Sequence, residues 1–358
     1  MARNHTMAGR RTFLLGMGAS AAVGACTITD RLRALNDKAP EIIDEKRNFA
    51  VRGDASLRDR AAAKGLIYGA ATGFQLLSSD SVFANSFARE CAMLVPENAL
   101  KWPTLRPSAS SFDFTEGDAL LEFARTHNML FRGHPLVWGY DFDLEWLKNT
   151  ANSQNAERLL VKHIKTVVGH YAGEIHSWDV VNEAINPSHG LADGLAKTRW
   201  LELIGPKYID IAFRTAAEAD PKALLVYNDN ALDHDTPDAD ARRVATLNLL
   251  KGLKSRGIPV QALGMQAHLS ADQPINPSKL KAFLHDVASL GMKILITELD
   301  VIDQKLPVEI KGRDRIVAKV YEDYLSVVLE EPAVIAVLTW GLSDRYTWHS
   351  QFNPRQDK

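Results

Sequence analysis

The sequence predicts a (β/α)8 barrel, and three observations carry that prediction. Eight short apolar runs follow one another, at 66–71, 93–96, 129–137, 175–182, 223–228, 260–269, 293–301 and 334–340. Between them lie segments with apolar residues every three or four positions, the period of an amphipathic helix. The runs are apolar on both faces, as in Ala333-Val334-Ile335-Ala336-Val337-Leu338, which is what a parallel sheet covered by helices requires. Eight such strands alternating with helices suit a closed barrel better than a doubly wound open sheet, the structural alternative.

The helical segments fall at 81–92, 117–127, 155–171, 199–219, 238–256, 277–290 and 313–329. Gly257 and Gly291 follow two of them as stop signals, and Asp220-Pro221 closes another. Only eighteen residues, 341–358, follow the eighth run, and they carry no helical period. The barrel is therefore expected to lack its eighth helix or to have it truncated. That would leave apolar wall wet at roughly 25 cal/mol per Å².

Ahead of the barrel, which is expected over 56–358, the 358-residue chain holds two further segments. Residues 1–26 have the form of an export signal: Arg3, Arg10 and Arg11 precede Phe13-Leu14-Leu15 and an Ala/Gly-rich stretch too short to span a bilayer. The pair Arg10-Arg11 resembles a twin-arginine signal. Val23-Gly24-Ala25-Cys26 fits a lipoprotein box with acylation at Cys26, or ordinary cleavage after Ala25. Residues 27–55 are charged and without apolar period, and read as an N-terminal extension or linker. The expected location is periplasmic or on the outer surface, lipid-anchored if Cys26 is acylated.

Composition narrows the function classes. The net charge is −2, from 42 basic and 44 acidic residues that are interspersed, so no nucleic-acid partner is expected. Residues 1–25 hold three arginines and no acid, so the remainder carries 39 basic against 44 acidic residues. Two cysteines, Cys26 and Cys91, exclude a disulfide framework and lack metal-site spacing. Cys91 is expected to be a buried small hydrophobe. No metal or cofactor is expected, and the protein is expected to be a monomer.

Chemistry collects at the strand ends, where a barrel builds its active site. Glu183 closes the run Trp178-Asp179-Val180-Val181-Asn182-Glu183, and Glu298 closes Ile294-Leu295-Ile296-Thr297-Glu298. Carboxylates are costly to bury there without a chemical reason. Two of them on separate strands can flank one glycosidic bond. His134, Trp138, Asn182, Gln266, His268, Asp300 and Trp340 also stand at strand ends. Alternation along a strand puts Gln266 with His268, and Glu298 with Asp300, on common faces. Carboxylates, amides, imidazoles and indoles together suit a sugar site.

These motifs resemble family 10 of the glycoside hydrolases, endo-β-1,4-xylanases on a (β/α)8 barrel. The further matches are Glu97-Asn98-Ala99-Leu100-Lys101-Trp102, Gly133-His134 with Leu136-Val137-Trp138, Gln266-Ala267-His268, and Thr339-Trp340-Gly341 with Trp348. The resemblance runs from about residue 60 to the end, in family order. It implies that Glu183 is the acid/base and Glu298 the nucleophile of a retaining mechanism, with His268 and Asp300 supporting the nucleophile. It implies xylan or xylo-oligosaccharide contacts from Glu97, Asn98, Lys101, His134, Trp138, Asn182, Gln266, Trp340 and Trp348. A retaining barrel glycosidase acting on β-glucan, or a non-catalytic carbohydrate-binding barrel, would share most of these features. The pattern departs from the family at Gly139, where a His is usual. The expectation there is a larger, wetter space, unless Tyr140 or Asp141 fills it.

Overall fold

The computed structural model describes residues 47–352, in which parallel strands close into a barrel. The strands are β1 Ile67–Thr72, β2 Met93–Pro96, β3 Leu130–Gly133, β4 Ile175–Asn182, β5 Leu224–Asp229, β6 Ala262–Met265, β7 His268–Ser270, β8 Lys293–Ile302 and β9 Val334–Thr339. Pairing runs from β1 through β6 on one side and from β1 to β9 and β8 on the other. The β6–β8 ladder joins the two arms, with Ala262 opposite Lys293 and Met265 opposite Ile296. That closure removes the open edges a doubly wound sheet would have.

Two-faced hydrophobicity fills both sides of the strand ring. Ala71, Met93, Val95, Val226, Ala262, Leu295, Ala336 and Leu338 form their own buried cluster, the filled interior of the barrel. A much larger cluster joins the alternate strand residues, such as Leu94, Phe131 and Ile294, to helix residues such as Leu120, Ile164, Phe213 and Leu284. Each Val or Leu so buried contributes roughly 1.5–3 kcal/mol. Helix starts are set locally: Thr236 caps Pro237–Ser255 and Asn276 caps Pro277–Ala288, each with proline in the first turn, where its missing N–H costs nothing.

Two expectations change in the folded chain, and four short helices are added. The run at 260–269 is two strands, because Ala267 takes a left-handed φ of 61° and breaks the ladder between Met265 and His268. The helix expected over 199–219 is split into Arg199–Ile204 and Lys207–Ala219 by Gly205, at φ 81°, and Pro206. Short helices at Leu57–Ala62, Phe74–Ser79, Trp102–Leu105 and Glu145–Thr150 span too few residues to show a period.

After β9 the described residues hold only the turn Asp344–Tyr346 and the four-residue helix His349–Phe352. On the outer wall nearby, the Tyr68 and Thr339 hydroxyls meet at 3.2 Å, joining β1 to β9. The helix Leu57–Ala62 lies against β1. The end of the segment expected as a linker is tied down: Arg47 pairs with Glu322 at 2.9 Å and Asp323 at 2.5 Å, and Arg315 sits over the Phe49 ring. The expected signal at 1–26, with Cys26, lies outside the described residues. Among those described, no helix is long and apolar enough to cross a membrane. Cys91 is buried, and burial pushes its thiol well above the ordinary range.

Gly133 shows how tightly the barrel wall is packed. A Cβ at this position would overlap the indole of Trp178, itself fully buried. Gly133→Ala is therefore expected to lower the free energy of unfolding by about 1–3 kcal/mol. Urea denaturation measures this, and an unchanged midpoint would show that the indole relaxes freely.

Candidate active site

Glu298 lies within β8, where the ladder to β9 shifts register between Ile296 and Leu299, and is only 5% exposed. Its Oε1 accepts from Asn228 Nδ2 at 2.8 Å, and its Oε2 lies 3.1 Å from His268 Nε2. The other ring nitrogen of His268 lies 2.9 Å from Asp300 Oδ1. Asp300 Oδ2 in turn accepts from Trp348 Nε1 at 2.7 Å and lies 3.1 Å from His349 Nε2. Burial would push Glu298 upward, but His268, His134 and the Asn228 amide hold it below the ordinary carboxylate range. Asp300 is likewise held low against burial, by His268 and His349. Burial opposes the charge on His268, yet its hydrogen bonds to Asp300 and Glu298 prevail and raise it to about 10. The ring is thus an imidazolium at neutral pH, donating to a carboxylate on each side.

Glu183 stands just beyond β4 with a left-handed φ of 57°. A non-glycine residue held there is strained, and such strain persists only where the surroundings fix it. Here the Glu183 N–H donates to Asn228 O at 2.9 Å. Its carboxylate accepts from Trp138 Nε1 and Gln266 Nε2, both at 2.8 Å. Two neutral donors hold the carboxyl in place, whereas Glu298 has a cationic partner.

A chain of amides connects the two glutamates. Gln266 Nε2 donates to Glu183 Oε1 and, at 3.2 Å, to Asn182 Oδ1. Asn228 Nδ2 donates to the same Asn182 oxygen at 2.9 Å and to Glu298 Oε1. Thr297 donates to Asn228 Oδ1 at 2.7 Å, which fixes that amide's orientation. Gly264 makes the room: a Cβ there would overlap Asn228 Oδ1 and lie 3.0 Å from Thr297 Cγ2. With its oxygen saturated by donors, Asn182 has its Nδ2 left to offer to a ligand.

The remaining expected residues assemble around this pair. His134 Nδ1 is 2.9 Å from Asp179 Oδ2, and buried Arg132 bonds the other oxygen of Asp179 and donates to Ser177 Oγ at 2.7 Å. The Trp340 ring meets His134 edge-on at 5.1 Å, and Trp348 lies 5.1 Å from the His268 ring. Lys101 Nζ donates to Asn98 Oδ1 at 3.0 Å and sits over both Trp138 and Trp340. Burial pulls this ammonium below its ordinary range, against the opposing charges of Glu298, Glu97 and Glu183. The motifs at 97–101, 134–138 and 340 therefore meet over one cleft.

Two readings are corrected by the geometry. Gln266 and His268 do converge on the site, but through the turn at Ala267 rather than by strand alternation. Gly139 does not open a wet space, since a Cβ there would already lie 3.0 Å from Thr198 Cγ2. Asp141 turns inward and accepts from Trp138 N at 2.8 Å and Trp200 Nε1 at 3.1 Å, while Tyr140 stays 60% exposed beside Trp138. Asn228, Asp229, Asp179, Arg132 and His349 were not singled out from sequence. The signal for two of them was the polar group Asn228-Asp229-Asn230 where an apolar run stops.

The charged triad sets a pH window. Stability from the lowered carboxylates is present above their ordinary range, about pH 4, and is lost as pH falls. Stability from His268 is full below about pH 6.5 and is lost as pH rises through its folded value. In His268→Gln, Glu298 loses its cation while staying buried, so its ionisation is expected at higher pH than in wild type. Carboxyl ¹³C chemical shifts against pH measure this. An unmoved titration would assign the cationic role to another group.

Residues 56–358 match the model of glycosyl hydrolase family 10. Endo-1,4-beta-xylanase B of Thermotoga neapolitana is 33% identical over 305 residues, covering 82% of this chain and 83% of that one. Native xylanase 10B from Thermotoga maritima superposes with a TM-score of 0.74 at 35% identity, over 83% of this chain and 90% of that one. Xylanase 10B from Thermotoga petrophila, solved in complex with xylobiose, gives 0.75 at 34% identity, over 85% and 90%. The closed parallel barrel, its paired glutamates Glu183 and Glu298 and this match across the whole barrel agree: the chain belongs to glycosyl hydrolase family 10.

Proposed function

We propose that the protein is a retaining endo-1,4-β-xylanase that hydrolyses internal bonds of xylan by double displacement. The observation that carries this reading is the unequal environment of the two glutamates. Glu298, held ionised by His268 and Asn228, is equipped to attack the anomeric carbon. Glu183, held by the neutral donors Trp138 and Gln266, is equipped to protonate the leaving oxygen. After the leaving sugar departs, Glu183 takes a proton from the water that cleaves the glycosyl–Glu298 ester. The Asn182 amide faces the sugar 2-hydroxyl, where a hydrogen bond strengthens in the transition state. His134, Trp138 and Gln266 line the subsite of the sugar being cleaved. Glu97, Asn98 and Lys101 hold the next sugar outward, and Trp340 and Trp348 cover it. Xylobiose in the Thermotoga petrophila structure supports xylo-oligosaccharides as the ligand class.

Products from xylo-oligosaccharides, followed by ¹H NMR, are expected to appear first with retained anomeric configuration. Glu298→Ala is expected to lose turnover, and azide to restore it on an activated aryl xyloside as the glycosyl azide of inverted configuration. Inverted product from the wild type would contradict double displacement.

The proposal extends to location: Arg10-Arg11 ahead of a weakly apolar stretch directs export to the periplasm or outer surface. Changing both arginines to Lys is expected to retain precursor in the cytoplasm. If Cys26 is acylated, Cys26→Ser releases the protein from the membrane fraction. Equal export of the double-Lys form would exclude the twin-arginine route.

A further inference from the structure

Asp229, the last residue of β5, is a carboxylate only 1% exposed that touches no expected substrate position. Two of its three donors are near in sequence, and the third, Ile185, comes from the segment after β4. Tyr227 Oη and Ile185 N, the latter at 3.2 Å, donate to Oδ2, and Asn230 N donates to Oδ1 at 2.8 Å. Ile185 lies two residues past Glu183, whose backbone is held in the left-handed region. The same short segment of β5 also fixes the neighbours of Glu183. Asn228 O receives the Glu183 N–H, and Asp229 O receives the Gln266 N–H at 3.0 Å. Arg242 completes the clamp by donating to Ile185 O at 2.9 Å and Asn230 Oδ1 at 3.2 Å.

We propose that Asp229 is a positioning residue for Glu183, fixing the turn that aims the acid/base. The inference rests on the acid/base role proposed above for Glu183. The ionisable groups that act on Asp229 include Tyr227, Tyr208, Glu183 and Arg242. Burial raises Asp229 to about 7, against the hydrogen bonds from Tyr227 and Asn230; Glu183 raises it further and Arg242 lowers it. Asp229 and Glu183 act on each other as like charges, so replacing Asp229 by an amide removes that coupling and the pH profile reports it.

The test compares Asp229→Asn with wild type on unsubstituted xylo-oligosaccharides and on 2,4-dinitrophenyl xylobioside, reading kcat/KM against pH. The dinitrophenolate leaves without a proton, so only the unactivated substrate reports the acid. A loss of about tenfold or more is expected on the unactivated substrate, with little change on the activated one. The basic limb for the unactivated substrate is expected to move to lower pH. Tyr227→Phe, which removes one donor and keeps the buried ring, is expected to move that limb in the same direction by less. It carries the test if Asp229→Asn does not fold. Equal losses on both substrates with an unmoved limb, or no loss on either, would overturn the proposal. Glu183→Ala in the same assays separates the two ideas. If it does not show selective loss on the unactivated substrate, the acid/base assignment itself fails; if it does and Asp229→Asn shows none, only the positioning role fails.

Discussion

Glu298 is a buried carboxylate, and the charge-assisted hydrogen bond from His268 is the foremost contact that keeps it ionised, supported by His134 and the Asn228 amide. A lone carboxylate in that environment would take up a proton rather than bear several kcal/mol of desolvation. His268 can supply the charge because a second carboxylate, Asp300, holds its other nitrogen. Asp300 in turn is met by Trp348 and His349 from the far end of the described chain. Residues from β7, β8 and the segment after β9 thus converge on the charge state of one oxygen pair. The left-handed turn at Ala267 serves the same arrangement, since it brings His268 to β8 after Gln266 has turned toward Glu183.

The two glutamates differ because their partners differ in charge. Between them run only neutral amides, Gln266, Asn182 and Asn228, joined through the Asn182 oxygen, which accepts from the other two. Such a bridge fixes relative position without adding a charge that would favour the same ionisation state at both carboxyls. Small residues in the wall make it feasible. Gly264 leaves the volume that Asn228 fills, and Gly133 leaves the volume that Trp178 fills. The strained backbone of Glu183 fits this picture, since it is held by main-chain bonds from β5 rather than by its own preference.

Most of the barrel was legible because strand and helix periods differ and because most of its strands are buried on both faces. Glu183 and Glu298 stood out for the same reason: a carboxylate ending an apolar run has no packing role. Departures came where backbone geometry overrode the pattern. Ala267 carries no local signal for a left-handed turn, so β6 and β7 read as one run. Gly205-Pro206 was a visible breaker inside a long helical period, and it divides that helix. Asn228 and Asp229 sat at a strand end in plain polar types, yet their partners lie 46, 70 and 44 residues away, a separation no local period encodes. The space at Gly139 was misjudged because Thr198, which fills it, comes from a distant loop.

The central claim is that Glu298 is the ionised nucleophile and Glu183 the acid that serves it. An activated xylobioside bearing fluorine in place of its 2-hydroxyl tests this most directly, because the fluorine slows hydrolysis of a glycosyl-enzyme after an activated leaving group has let it form. Peptide mass spectrometry of the inactivated protein is predicted to find one sugar ester, on Glu298 within Ile296-Thr297-Glu298-Leu299-Asp300. A label on Glu183, or hydrolysis of the reagent with no ester formed, would contradict the account.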